Sequence, residues 1–233
     1  NIGQLINKAF ELQAQGRKSE AVKYYTYLIK QGIKDYRVFS NYGAILKNLG
    51  RLKEAELYTR KAIKLDPLFA NAYSNLGNLL RDLGRLKEAE LHTRKAIQLN
   101  PNLEMAYFNL GAILRDLGGL KEAELHTRKA IQLNPNLEMA YSNLGGILRD
   151  LGRLKEAEFY TRKAIQLNPN LEMAYSNLGF ILNNLGNLDE LLLTAKAVLL
   201  SKSINQGCKL IATLEVAIAN LLRRDLTETY LYI

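Results

Sequence analysis

The side chains able to do chemistry in this 233-residue sequence recur at one spacing. Asparagine stands at Asn41, Asn75, Asn109, Asn143 and Asn177, each 34 residues beyond the last. A carboxamide carries donors and an acceptor, so a row of them can pair with the backbone of an extended polypeptide whatever its side chains are. The same amide can equally bond a neighbouring helix and hold a scaffold in register, and the sequence leaves both readings open. Six residues further on come Lys47, Arg81, Arg115 and Arg149, with Asp82, Asp116 and Asp150 directly after the arginines. Cations facing a shared groove suit acidic peptide side chains or a carboxylate. Alternatively, the arginines and aspartates form a lattice that neutralises itself. The candidate peptide-binding set is therefore Asn41, Asn75, Asn109, Asn143, Asn177, Lys47, Arg81, Arg115 and Arg149.

Catalysis finds little to use. His92 and His126 occupy equivalent places, and Tyr58 and Tyr160 replace them elsewhere, as on a tolerant outer surface. Glu54, Glu88, Glu122 and Glu156 recur in identical surroundings, whereas an acid–base pair needs environments that push two pKa values apart. The sequence carries no glycine-rich phosphate loop and no nucleophile elbow. No enzyme activity, catalytic residue, cofactor or metal is expected.

The elements that position these residues follow from the spacing. LKEAELYTRKAI at Leu52 returns as LKEAELHTRKAI at Leu86 and Leu120 and as LKEAEFYTRKAI at Leu154. Such a period signals stacked repeats. Placing Gly43, Gly77, Gly111, Gly145 and Gly179 at position 8 defines units 36–69, 70–103, 104–137, 138–171 and 172–205. Tyr107, Leu110, Gly111, Leu114 and Leu117 paint one face of a first helix, A, by their three-four spacing. Helix A should stop at position 15, which is Gly50, Gly84, Gly118, Gly152 and Gly186, because glycine readily adopts the left-handed conformation past a helix end. A second helix, B, is expected over positions 18 to 30, ending before Pro135 and its equivalents. Glu56 and Arg60, and their counterparts, sit four apart along it in the favourable order.

Nearly half the residues are apolar and 24% are charged, which favours a folded chain. The single cysteine, Cys208, excludes an intramolecular disulfide framework and fits a reducing compartment. Apolar stretches near Leu191 and Leu210 are too short and interrupted to span a bilayer, and no signal peptide opens the chain. A cytoplasmic location with no membrane partner is the expectation. Of the net charge of +9, the excess lies wholly in residues 1–103, with 18 Lys or Arg against 9 Asp or Glu. The chain opens on Asn1 and closes on Tyr230, Leu231, Tyr232 and Ile233, as a fragment of a longer protein would.

Small residues at positions 8, 20 and 27, such as Gly111, Ala123 and Ala130, together with leucine at 7, an aromatic at 4 and proline at 32, resemble the tetratricopeptide repeat. The resemblance implies an all-α, right-handed solenoid of antiparallel helix hairpins, with helices A lining a concave groove. Residues 2–35 resemble a divergent first copy, 172–205 is a divergent sixth, and 207–233, with Leu226, Glu228 and Thr229, reads as a degenerate, incomplete seventh. The whole forms one solenoid domain. The asparagine row resembles the ladder of the O-linked N-acetylglucosamine transferase superhelix, where partner polypeptides are held. Threonine at position 24 (Thr59, Thr93, Thr127, Thr161) departs from the family's aromatic, while Leu57, Leu91, Leu125 and Phe159 stand at 22. Either helix B is rotated or that stripe is exposed.

The expected function is a protein-interaction scaffold that takes an extended peptide or partner segment in its groove, an acidic one being suited to the arginines. Two alternatives stand beside it: the substrate-presenting arm of a sulfotransferase or glycosyltransferase, and an array that self-assembles into a homo-oligomer through its C-terminal end. A nucleic-acid partner is not expected, because the basic residues are not interleaved with a stacking platform.

Overall fold

The computed structural model describes residues 1–231, and these form helices joined by short turns. The helices group into two compact units. The first, Asn1–Gly118, holds α1 (Ile2–Ala14), α2 (Lys18–Lys30), α3 (Tyr36–Asn48), α4 (Leu52–Leu65), α5 (Ala70–Asp82), α6 (Leu86–Leu99) and α7 (Glu104–Asp116). The second, from Gly119, holds α8 (Leu120–Leu133), α9 (Glu138–Asp150), α10 (Leu154–Leu167), α11 (Glu172–Asn184), α12 (Leu188–Leu200) and α13 (Gln206–Leu231). The residues expected as an incomplete seventh unit fall in the single helix α13 as far as Leu231. Tyr232 and Ile233 lie outside the described residues.

Each helix A ends as its sequence requires. After α5, Gly84 takes φ +73°, its N–H donates to the Arg81 carbonyl at 2.9 Å, and the Arg85 N–H donates to the Leu80 carbonyl at 2.9 Å. This pair of bonds satisfies carbonyls that the helix leaves unpaired. Between hairpins, the Asn100 side chain accepts from the Asn102 N–H at 3.0 Å, and Asn134 and Asn168 repeat the turn in the second unit.

Packing follows the small positions. In the first unit Leu76, Leu79, Leu80, Ala89 and Ile113 belong to one buried core with Tyr25, Tyr42 and Leu46. In the second, Leu144, Leu148, Ala157 and Ile181 are buried together. Around α12 and α13 the composition changes, with Tyr175, Ala195, Val198, Cys208 and Ala212 forming the core. The divergent sixth repeat thus buries Val198 in place of a position-27 alanine.

The open question at positions 22 and 24 has a steric answer. Thr59 is 1% exposed and Thr93, Thr127 and Thr161 are fully buried, whereas Leu57, Leu91, Leu125 and Phe159 are 50 to 66% exposed. The threonines lie against the helix-A glycine of their own hairpin in the pairs Gly43–Thr59, Gly77–Thr93 and Gly145–Thr161. A side chain so close to a backbone leaves no room for an aromatic, and the leucine two residues earlier points outward.

Charged side chains tie successive B helices together. Arg60 bridges Glu56 (2.8 Å) and Glu88 (2.6 Å), while Arg85 bridges the same two carboxylates at 2.8 and 2.5 Å. In the second unit Arg153 joins Glu124 to Glu156, each at 2.7 Å. The expected four-apart pairs on one helix are therefore parts of a lattice that also connects neighbouring repeats.

Candidate binding surface

Helices A carry the asparagine row, and Asn75, Asn109 and Asn177 each bond back to the preceding helix A. Asn75 Nδ2 donates to Ser40 Oγ at 3.0 Å. Asn109 Nδ2 donates to Ser74 Oγ at 3.0 Å, and Asn177 Nδ2 donates to the Ser142 carbonyl at 3.1 Å and its Oγ at 3.2 Å. The partner in these three is the position-5 residue of the preceding repeat, 35 residues earlier. Phe108 stands at that place one repeat before Asn143, and Asn143 instead donates to Thr127 Oγ1 at 3.3 Å. Asn109, Asn143 and Asn177 are buried to within 6 to 8% exposure. A buried amide finds a partner because leaving it unmade costs about 1–3 kcal/mol.

The cations are also engaged. Lys47 Nζ lies 2.9 Å from Asp82, and Arg81 Nε lies 2.5 Å from Asp116, each joining one repeat to the next. Arg149 contacts Asp150 at 2.8 Å and stacks over the Phe180 ring at 4.7 Å. Arg115 is half-buried on α7 and is likewise engaged. Lys47 and Arg81 thus link successive repeats, whereas Arg149 pairs with the aspartate beside it.

Two depressions border this row in the first unit. A depression of about 310 Å³ is lined by Gln13, Asn41, Asn71, Ser74, Asn75 and Met105, between α1, α3, α5 and the start of α7. A second, of about 150 Å³, is bounded by Lys47, Asn48, Asn75, Asn78 and Thr59. Asn75 borders both. Its donor serves Ser40 while its flank faces the groove. Asn71 and Asn48 are exposed, and Asn41 and Asn78 are half-buried. Gln13 is held from behind by Tyr25, whose hydroxyl donates to Gln13 Oε1 at 2.6 Å and whose pKa burial pushes above the ordinary phenol range.

Sequence reasoning missed Asn71 and Asn78 because they do not recur at the repeat period, and Asn48 because its position recurs only as Asn184. Their cluster within residues 48–78 was the available signal. His92 and His126 contact Glu88 and Glu122 on their own helices at 3.7 and 3.5 Å. Among the described residues no three His, Cys, Asp or Glu side chains gather as a metal set, and no helix is long and apolar enough to cross a membrane.

The geometry can be set beside known proteins. Two family models described as tetratricopeptide repeat match residues 70–103 and 139–171, and 36–67 and 106–137, together more than half the chain. No curated protein matches the sequence. Among solved structures, YrrB, described as a tetratricopeptide-repeat protein with an unusual peptide-binding site, is 26% identical, with 71% of this chain and 89% of that one covered and a TM-score of 0.54. TTC0263, a tetratricopeptide-repeat protein of Thermus thermophilus, is 20% identical, covering 78% of this chain and 99% of its own at TM-score 0.68. PilW, a type IV pilus biogenesis factor, is 19% identical, covering 90% and 97% at TM-score 0.76. These last two share the fold. With the small residues buried at the hairpin crossings, the glycine-terminated A helices and the matched models in agreement, this chain belongs to the tetratricopeptide-repeat family of interaction scaffolds.

Proposed function

We propose that this chain is a non-catalytic scaffold that holds an extended peptide along the helix-A face of its first unit, chiefly through carboxamides. The observation that carries the reading is the 310 Å³ depression in which Asn41, Asn71 and Asn75 meet Gln13 and Ser74. Amides offer donors and acceptors to a passing backbone and tolerate varied side chains. Met105 supplies an adaptable apolar contact at the rim. The nearby cations are matched by Asp82 and Asp116, so an acidic ligand would compete with carboxylates already in place, and backbone recognition of a neutral polar segment is the better fit. The likeness to YrrB and its peptide-binding site supports this assignment. In this reading the remaining asparagines keep the repeats in register. Buried Cys208 and the lack of any other cysteine agree with a reducing, cytoplasmic setting.

Panning an unbiased peptide library on the wild-type chain and on the triple variant Asn41→Ala, Asn71→Ala, Asn78→Ala tests it. Capture should fall by roughly tenfold, the loss of one to two hydrogen bonds, while the circular dichroism stays the same. Equal capture would remove the site.

A second reading is favoured by α13, whose Leu210, Leu214 and Ile218 lie four apart and are 43 to 63% exposed. Such a stripe supports self-association by this helix. Light scattering over a concentration series, with Leu214→Glu as control, distinguishes it from a monomeric scaffold.

A further inference from the structure

The outward leucines raise a separate question, because a solenoid has no need to expose them. On α4, Leu57 is followed and preceded one turn away by Lys61 and Lys53. On α6, Leu91 lies between Lys95 and Lys87 in the same way, and all six side chains are exposed. Residues four apart share a helix face, so each helix carries a lysine–leucine–lysine crest. The arrangement recurs in the second unit as Lys121–Leu125–Lys129 and Lys155–Phe159–Lys163. On α2 the equivalent row is Lys23 and Tyr27, with Tyr27 51% exposed.

The arginines beside these crests are consumed by carboxylates: Arg51 by Glu54 at 2.7 Å, Arg60 and Arg85 by Glu56 and Glu88. The crest lysines are not held so closely. Lys87 reaches Glu90 only at 3.6 Å with its side chain 84% exposed, Lys95 bonds the neutral Gln98 at 3.1 Å, and the Lys61 ammonium lies over the Tyr58 ring at 5.0 Å. Lysines thus flank the protruding apolar side chains of α4 and α6.

We propose that the outer crest of the first unit, Lys53–Leu57–Lys61 with Lys87–Leu91–Lys95, adsorbs to an anionic bilayer surface. Lysines near acidic headgroups are attracted by the negative surface potential, and apolar side chains between them enter the headgroup–acyl boundary. A protruding leucine without surrounding walls needs a rigid protein partner to supply a matching pocket, whereas a fluid bilayer accommodates it with none. Tyr27, polar at one end and apolar at the other, extends the same preference. Adsorption at headgroup depth requires no spanning helix, and it leaves the helix-A groove open.

The test is sedimentation of the full chain with phosphatidylcholine vesicles, with and without about a third of phosphatidylserine, at low and high salt. Binding is expected only to the anionic vesicles and should disappear at about 0.5 M salt, where screening shortens to a few ångströms. Lys53→Gln with Lys61→Gln, Lys87→Gln and Lys95→Gln should lower the partition at least roughly tenfold, and Leu57→Ser with Leu91→Ser several-fold. Because the chain has no tryptophan, Leu91→Trp adds a single reporter whose emission should shift to the blue on anionic vesicles. No binding at low salt, equal binding to neutral vesicles, or an unshifted reporter overturns the proposal. So does retention on immobilised poly-glutamate without vesicle binding, which would give the crest to an acidic polypeptide.

Discussion

Thr93 Oγ1 occupies the space that a Cβ on Gly77 would need. The threonine cannot easily yield, because its hydroxyl donates to the Ala89 carbonyl at 2.8 Å and the residue is fully buried. The carbonyl itself would lie 3.1 Å from the added carbon. Gly77→Ala should therefore cost about 1–3 kcal/mol through overpacking, read as a lower midpoint in urea. Adding Thr93→Ala should return part of the loss, since the two sites are in contact and cannot be additive. The first repeat shows that such a pair can be exchanged, with Ala9 and Tyr25 buried at the same two positions.

The periodic features are legible in the sequence. Leucine spacing, the glycine after each helix A and the prolines Pro67, Pro101, Pro135 and Pro169 after four of the B helices suffice to place the helices of the regular repeats within about a residue. The side on which threonine and leucine lie is not, because both fit helix B and the choice depends on how closely a glycine lets two backbones approach. The asparagine row is visible as a row. Its backward bonds are also written in the sequence, in serine at Ser40, Ser74 and Ser142 one repeat before Asn75, Asn109 and Asn177, but only stacking brings residues 35 apart within reach. Asn71 and Asn78, which border the open groove, obey no period, and only their crowding within residues 48–78 marks them.

Two asparagines on the same face should respond differently to truncation. Asn109→Ala removes the donor to Ser74 from a site that is 6% exposed and should destabilise by about 1–3 kcal/mol. Asn71 is exposed, so Asn71→Ala should stay within about 0.5 kcal/mol of wild type while weakening peptide capture. Parallel urea titrations separate the two roles. Equal losses of stability would erase the distinction between register-keeping and groove-lining amides.

The Arg–Glu ring predicts the acid limb of stability. The hydrogen bond from Arg60 holds the Glu88 carboxyl below its ordinary value of 4.5, and burial opposes this less strongly. At Glu56 burial works against the charge, and hydrogen bonds from Arg60 and Arg85 overcome it. Both groups bind protons less readily when folded, so their contribution is complete above pH 4.5 and is lost as the pH falls below it. His92, lowered by burial and by the charge of Arg60, acts in the same sense below pH 6.5. Glu56→Gln with Glu88→Gln should reduce the slope of the melting temperature between pH 5 and pH 3 and leave the region above pH 7 flat. An unchanged slope would mean that the ring is not coupled to folding.

Glu215 on α13 carries the opposite sign. Its carboxylate lies against Gly179 of α11 within the second unit, beside Leu178, Leu182 and Val198, and burial raises its pKa. A raised folded value means that α13 docks best with this group protonated, and that the benefit is lost as the pH climbs through the folded value. Glu215→Gln keeps the shape without the charge. It should therefore stabilise the second unit at neutral pH and lose its advantage near pH 4. Hydrogen exchange along residues 206–220 at the two pH values reads this directly: slower exchange in the variant only at neutral pH is the expected pattern, because only there does the wild type bury a charge against a glycine backbone.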